Sequence, residues 1–233
     1  TPPADVILPD STLGVLGGGQ LGRMFTLAAL SMGYRVVVLD PDPHSPAGLI
    51  ATRHIKADYR DHAALQLLGD ECAAVTTEFE NIPAETLEYI ETLCPVRPAP
   101  AAVRIAQDRI LEKRFIRDHG LDTAKFATIE DTGDLEELQD LECEASVILA
   151  RSLDGQTAIY TVAENQHING ILDTTIVPAR IADELAERAV SMASRLAEAL
   201  DYCGVLAVEF FVTLDGRLLI NEIAPRPHNS GHY

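Results

Sequence analysis

Apolar and polar positions follow two different rhythms along this chain. From Leu13 to about Pro100, short apolar runs alternate with stretches of helical spacing. Gly14-Val15-Leu16 leads into Gly17-Gly-Gly-Gln-Leu-Gly22, and an apolar helical stretch then continues through Ala29 to Ser31. Val36 to Leu39 and Ala73 to Thr76 are near-continuous apolar runs, the kind buried on both faces of a parallel sheet. Strand–helix alternation of this sort predicts a doubly wound α/β domain with ligands at the carboxyl ends of its strands. The proline-rich break Cys94-Pro-Val-Arg-Pro-Ala-Pro100 separates this domain, residues 1–100, from a second over 101–233.

The second domain begins with a predicted helix from about Ala101 to His119, ended by Gly120. Asp154-Gly155 lies between two apolar runs and predicts a hairpin. Leu185, Ala189, Met192, Leu196 and Leu200 recur at helical spacing, so a helix is expected from Asp183 to Leu200, with Asp183 as its cap. Hairpins packed by a helix make this part α+β. The clearest pattern runs from Val205 to Glu222, where two β-branched apolar runs flank Asp215-Gly216. Asp-Gly between such runs is a strong hairpin signal. A two-residue turn there pairs Leu214 with Arg217 and sets Glu209 directly opposite Glu222. Like charges so opposed are destabilising. The pair therefore either carries that cost as two solvated acids or holds a cation, and Mg²⁺ is the usual partner of one or two carboxylates completed by water and phosphate oxygens.

Charge and cysteine usage narrow the function classes. A formal net charge of −18 disfavours a nucleic-acid partner, because backbone phosphates need clustered Lys and Arg. No apolar run approaches the roughly 20 residues that span a bilayer, and the first residues lack the basic and apolar segments of a signal peptide. Cys72, Cys94, Cys143 and Cys203 are widely spaced, with no C-x-x-C pair. Zinc ligation and a disulfide framework are thus not expected, and a cytoplasmic protein with reduced thiols is.

Several segments carry candidate chemistry. Gly17 to Gly22 satisfies G-x-G-x-x-G, and Asp40 follows where a dinucleotide-binding protein keeps its ribose-binding acid. Taken alone, that pattern reads as an NAD(P)-dependent dehydrogenase, a reading that leaves the Glu209/Glu222 hairpin unexplained. Glu78 and Glu80 follow a strand and lie at the ligand edge, or else favour the dipole of the next helix. His167 by itself reads as a surface or core histidine. Arg226-Pro-His-Asn-Ser-Gly-His232 instead crowds hydrogen-bonding groups into a loop directly after the hairpin, which points to function.

Taken in order, Gly17-Gly-Gly-Gln-Leu-Gly-Arg-Met24, Leu39-Asp-Pro-Asp-Pro-His-Ser-Pro-Ala47, Thr77-Glu-Phe-Glu-Asn81, Glu144-Ala-Ser-Val147, Val162 to Gly170 and Asn221-Glu-Ile-Ala-Pro-Arg-Pro-His-Asn-Ser-Gly-His232 resemble the N5-carboxyaminoimidazole ribonucleotide synthetases. These are ATP-grasp ligases of de novo purine synthesis. The resemblance implies a Rossmann-like pre-ATP-grasp domain followed by an α+β ATP-grasp domain. It also implies ATP, Mg²⁺, bicarbonate and 5-aminoimidazole ribonucleotide as ligands, and a homodimer. Carried over by motif, Glu209 and Glu222 would ligate Mg²⁺. Arg109, Glu144, His167, Asn221 and Glu222 would contact ATP. Gly19, Gln20, Leu21, Glu78, Asn229 and Ser230 would hold the substrate, and Arg226 and His228 would be catalytic.

Two departures qualify the likeness. The run from Asp134 to Glu144 passes straight from a helix into the Glu144 strand, where family members insert several dozen residues. That insert carries a phosphate-facing lysine, a glycine-rich loop and the strand that frames adenine. Lys56, Lys113 and Lys125 are the only lysines, and none has such a context. The sequence also stops at Tyr233, before the family's C-terminal domain. The expectation is that the expressed protein contains further residues between about Glu136 and Glu142 and beyond Tyr233. A formate- or biotin-linked ATP-grasp ligase and a non-catalytic metabolite-binding remnant are the other readings.

Overall fold

The structure is a computed structural model in which residues 6–123, 141–169 and 171–232 are described. The run from Asp134 to Asp140, where the sequence departs from the family pattern, lies outside the described residues, as does Gly170. The chain forms two compact units, Thr1–Val103 and Arg104–Tyr233.

In the first unit the apolar runs become β1 (Thr12–Leu16), β2 (Arg35–Leu39), β3 (Arg53–Ile55) and β4 (Ala74–Thr77). They form one parallel sheet in the order β3-β2-β1-β4. Val36 to Leu39 are all buried because the sheet is covered on both sides. On one side Val15, Val36 and Val38 pack with Ala29 of α1 (Gln20–Ser31). On the other, Leu16, Val37 and Leu39 pack with Leu65 and Leu68 of α2 (His62–Glu71) and Leu87 and Ile90 of α3 (Ala84–Glu91). Burying each such Leu, Ile or Val stabilises the fold by about 1.5–3 kcal/mol.

The second unit contains an antiparallel sheet packed by one long helix. After α4 (Pro100–Gln107) the predicted single helix breaks at Asp108, whose extended backbone and carboxylate, accepting from Ile110 N–H and Leu111 N–H, start α5 (Arg109–Asp118). A side-chain cap of this kind offers the backbone a competing bond and restarts the helix. The sheet comprises β5 (Leu141–Arg151), β6 (Thr157–Ile159), β7 (Ala163–Ile168), β8 (Ile171–Ile176), β9 (Gly204–Thr213) and β10 (Leu218–Ala224), in the order β10-β9-β5-β7-β8 with β6 pairing β5. α6 (Asp183–Ala199) packs on this sheet through Ala189, Ala193, Leu196 and Ala197. Asp183 is its first residue and not its cap; that position falls to Ala182, which offers no side-chain bond. Among the described residues, no helix is long and apolar enough to cross a membrane.

The β9–β10 hairpin differs from the predicted one in two places. Its loop has three residues, Leu214 to Gly216, closed by Thr213 N–H donating to Arg217 O (3.0 Å). Near the loop, therefore, Leu218 pairs with Val212 and Ile220 with Phe210, one residue off the predicted register. A bulge at Asn221 then takes up the extra residue, and Glu222 pairs with Glu209. Gly216 ends the loop at φ +77°, as three-residue hairpin loops require. A Cβ at Gly216 would meet nothing within 4 Å, so substitution there tests backbone conformation alone. Gly216→Ala is expected to lower stability by about 1–2 kcal/mol in urea denaturation, and Gly216→Asn by less, since Asn tolerates the left-handed region.

Candidate active site

In the first unit, three predicted positions gather at the carboxyl ends of β1, β2 and β4. Gly17, at φ +98°, turns the chain so that α1 begins beside Glu78, and an added Cβ there would come within 2.5 Å of the Glu78 side chain. The Glu78 carboxylate accepts from both Gly19 N–H and Gly22 N–H, so it caps α1, which has no side-chain cap of its own. The anion at this helix N-terminus is thus the protein's own carboxylate. Asp40 is equally committed. Its Oδ2 accepts from Gly18 N–H and the Tyr59 hydroxyl, each at 2.7 Å, and its Oδ1 accepts from Asp42 N–H at 2.8 Å. A dinucleotide would need those same amides and that same acid, so the dehydrogenase reading fails on hydrogen-bond accounting. Gln20 is exposed and Leu21 half-buried beside this loop.

In the second unit, sheet register brings together most of the remaining predicted residues. Successive strand residues point to opposite faces. Ser146 pairs with Glu209, and Glu209 pairs in turn with Glu222, so all three share one face of β5, β9 and β10. Two residues along on β5, Glu144 joins them, its carboxylate meeting Nδ1 of His167 from β7. Further along the same face, Ile148, Ala207 and Ala224 form a small apolar cluster. The loop after β10 lies against that cluster: a Cβ on Gly231 would come within 2.6 Å of Ile148 Cδ1. This contact brings His228 to Glu209, with Nε2 to Oε1 at 3.0 Å.

Hydrogen bonding fixes the histidine. His228 Nδ1 accepts from Ser230 N–H (3.4 Å) and meets the Ser230 hydroxyl (2.8 Å), which leaves Nε2 to donate to Glu209. The Ser146 hydroxyl in turn donates to that of Ser230 (2.9 Å). Ser146 and Ser230 are both fully buried, so Ser230 acts on the site by way of His228; Asn229 beside it is exposed. Arg226 is half-buried and donates to Pro227 O at 3.1 Å. Burial works against charge on Glu209. The hydrogen bond from His228, with the electrostatic attraction of His228, His167 and Arg109, outweighs it and holds the carboxyl below the usual range.

Glu222 is matched by a guanidinium. Arg109 donates to Glu222 (3.0 Å), to Glu112 (2.9 Å) and to Asn221 O (3.3 Å). Each of the two opposed acids therefore has its own donor, the His228 N–H for Glu209 and the Arg109 guanidinium for Glu222, which offsets the repulsion that their pairing would otherwise create. Among the described residues no group of three or more His, Cys, Asp and Glu is placed to hold a metal. What the chain offers is two facing carboxylates, a donor set that fits Mg²⁺ arriving with phosphate oxygens and water and does not fit a structural zinc.

Comparison with known proteins gives the family. The ribonucleotide synthetase pre-ATP-grasp family matches residues 11–107, and the ATP-grasp domain family matches residues 121–233. The N5-carboxyaminoimidazole ribonucleotide synthase of Brucella melitensis is 38% identical over 97% of this chain and 76% of its own length. The chain belongs to the N5-carboxyaminoimidazole ribonucleotide synthase family. A solved ADP complex of such a synthetase is 38% identical, with a TM-score of 0.90 over 98% of this chain and 73% of that one. The Aspergillus clavatus enzyme, solved with ADP and 5-aminoimidazole ribonucleotide, is 25% identical, with a TM-score of 0.84 over 97% of this chain and 73% of its own. The Brucella match runs over 275 residues against 233 here, so that family member has residues inside the matched span with no counterpart in this chain.

Two groups at the site escaped the reading from sequence. Ser146 was discoverable, since it stands two residues after Glu144 on an alternating strand. Lys113 was hidden by the absence of any phosphate motif around it. Its ammonium is buried and donates to Ile220 O (3.0 Å) and Asn221 O (2.5 Å), the two carbonyls of the β10 bulge. Burial pulls its pKa down to about 8. The committed state of Asp40 yields a stability prediction. Asp40→Ala leaves buried amide and hydroxyl donors without a partner and is expected to cost about 2–4 kcal/mol, read from the urea midpoint.

Proposed function

We propose that this chain catalyses the ATP-dependent carboxylation of 5-aminoimidazole ribonucleotide by bicarbonate, giving N5-carboxyaminoimidazole ribonucleotide, ADP and phosphate. The observation that carries the reading is the Glu209–Glu222 pairing across the β10 bulge, on one sheet face with Glu144 and His167, in a chain of this family. ATP and bicarbonate give carboxyphosphate, which, or whose released CO₂, takes up the exocyclic amine while phosphate leaves.

The chain's own residues are assigned as follows. Glu209 and Glu222 hold Mg²⁺, which supplies charge neutralisation at the phosphates. Arg109, Glu144, His167 and Asn221 contact the nucleotide. The fixed His228 presents one N–H on the site face beside Glu209 and, with Arg226, acts on the reacting bicarbonate. Asn229 and Ser230 complete that loop, with Ser230 orienting the histidine. In the first unit, Glu78 with Gly19, Gln20 and Leu21 forms the substrate-binding edge. Glu78 is held rigid there by the α1 amides, and this preorganisation favours positioning over binding strength. Action in the cytoplasm as a homodimer completes the reading; light scattering on the eluted protein tests the dimer.

The full-length protein given ATP, Mg²⁺, bicarbonate and 5-aminoimidazole ribonucleotide is expected to release ADP at a rate that requires the amine. Release no faster than in its absence would refute the proposal, and replacing the acceptor with biotin or formate separates the sister ligases. Glu222→Gln is expected to lower kcat/KM by about 100-fold and to raise the Mg²⁺ concentration for half-maximal rate, with little change in thermal midpoint. Unchanged rate and Mg²⁺ dependence would remove Glu222 from the metal site.

A further inference from the structure

The bulge in β10 decides which residue faces Glu209. Between the loop and Ile220 the register pairs Ile220 with Phe210. Continued without interruption, that register would set Asn221 opposite Glu209 and Glu222 opposite Val208. A one-residue slip moves every side chain to the other face, so Glu222 would join Val208, which is fully buried. The extra residue at Asn221 prevents this and returns Glu222 to the face of Glu209.

A bulge takes backbone groups out of the ladder, and buried carbonyls left without donors cost about 1–3 kcal/mol each. Ile220 turns its backbone away from β9, its N–H donating to Asp122 O (2.9 Å) beside a parallel bridge to Thr123, and side chains hold its carbonyl and that of Asn221 in the bulge. Lys113 bonds both, Arg109 adds a donor at Asn221 O, and the Thr123 hydroxyl donates to Ile220 O at 2.7 Å. Just beyond the bulge, Glu112 accepts from Ile223 N–H at 2.6 Å. Arg109, Glu112 and Lys113 stand at helical spacing on α5, so one helix face grips four successive residues of β10. Lys113 is the central contact, since only its ammonium reaches both bulge carbonyls among the bonds described.

We propose that Lys113 is a positioning residue, one that sets Glu222 opposite Glu209 by holding the β10 bulge. It touches no reacting atom. Its effect on the reaction passes through the pairing of the two carboxylates. This rests on the metal-binding reading of Glu209 and Glu222 given above.

The test is Lys113→Met, which keeps the length of the side chain and removes its donors. Mn²⁺ serves as the probe, titrated by electron paramagnetic resonance in the presence of ADP and the full-length protein. The expected result is about a tenfold weaker Mn²⁺ affinity, with kcat reduced while the KM for 5-aminoimidazole ribonucleotide stays within about twofold. A role in stability alone would lower the urea midpoint and leave Mn²⁺ affinity and kcat per folded molecule unchanged, which would overturn the proposal. Thr123→Val removes one bond to the same carbonyl and no charge. It is expected to weaken Mn²⁺ in the same direction by about two- to threefold, and it decides the matter if the lysine variant does not fold: wild-type affinity in Thr123→Val overturns the proposal. Failure of the wild-type protein to bind Mn²⁺ with ADP would refute the metal site itself, and this inference with it.

Discussion

The grip of α5 on two carbonyls of β10 is the constraint on which the second unit's chemistry depends. A regular hairpin would place Asn221 beside Glu209 and turn Glu222 toward the buried face. The chain instead carries one extra residue in the strand, and Lys113, Arg109 and Thr123 donate to the carbonyls of Ile220 and Asn221 at that point. A buried ammonium is costly unless compensated, and here Glu112 lies beside it, itself buried and pushed above the ordinary carboxylate range by that burial despite Arg109, Ile223 N–H and Lys113. The arrangement exchanges desolvation for a defined spacing of two acids. It also depends on Asp108, because the cap that restarts the helix there puts Arg109, Glu112 and Lys113 in its first turns.

The first unit uses carboxylates in a different way. Its glycine-rich turn looks like a phosphate cradle, yet the amides of Gly18, Gly19 and Gly22 are occupied by Asp40 and Glu78. The glycines serve the close approach of these side chains. Glu78 consequently has a fixed position at the end of the sheet, and Asp40 with Tyr59 braces the neighbouring glycine-rich turn through Gly18 N–H. A sequence motif shared with dinucleotide-binding proteins is here filled from within.

Much of this was legible in the residues, for reasons that can be named. Parallel strands buried on both faces announce themselves as apolar runs, and Val36 to Leu39 did so. The pairing of Glu209 with Glu222 was also reached from sequence, but through two errors that cancel: the loop is one residue longer than a two-residue turn, and the strand bulges by one. Alternation cannot see a bulge, because the donors that stabilise it come from residues 97 to 112 positions away, as Lys113 does for Ile220 and Asn221. The break at Asp108 was hidden by good helix formers on either side. Asp183 looked like a cap, yet its residue is already helical and the cap is Ala182. The commitment of Asp40 and Glu78 to backbone amides was equally invisible, since a G-x-G-x-x-G pattern says that amides are accessible and not which anion takes them.

The central claim is that two carboxylates, brought face to face by the bulge, form the metal-binding part of the site. Crystals of the full-length protein grown with ADP and Mn²⁺ and measured above the manganese absorption edge test it most directly. The account predicts an anomalous peak bonded to both Glu209 and Glu222, with Lys113 still on the carbonyls of Ile220 and Asn221. A metal bound away from these two residues, or Glu222 turned to the opposite face of the sheet from Glu209, would contradict it.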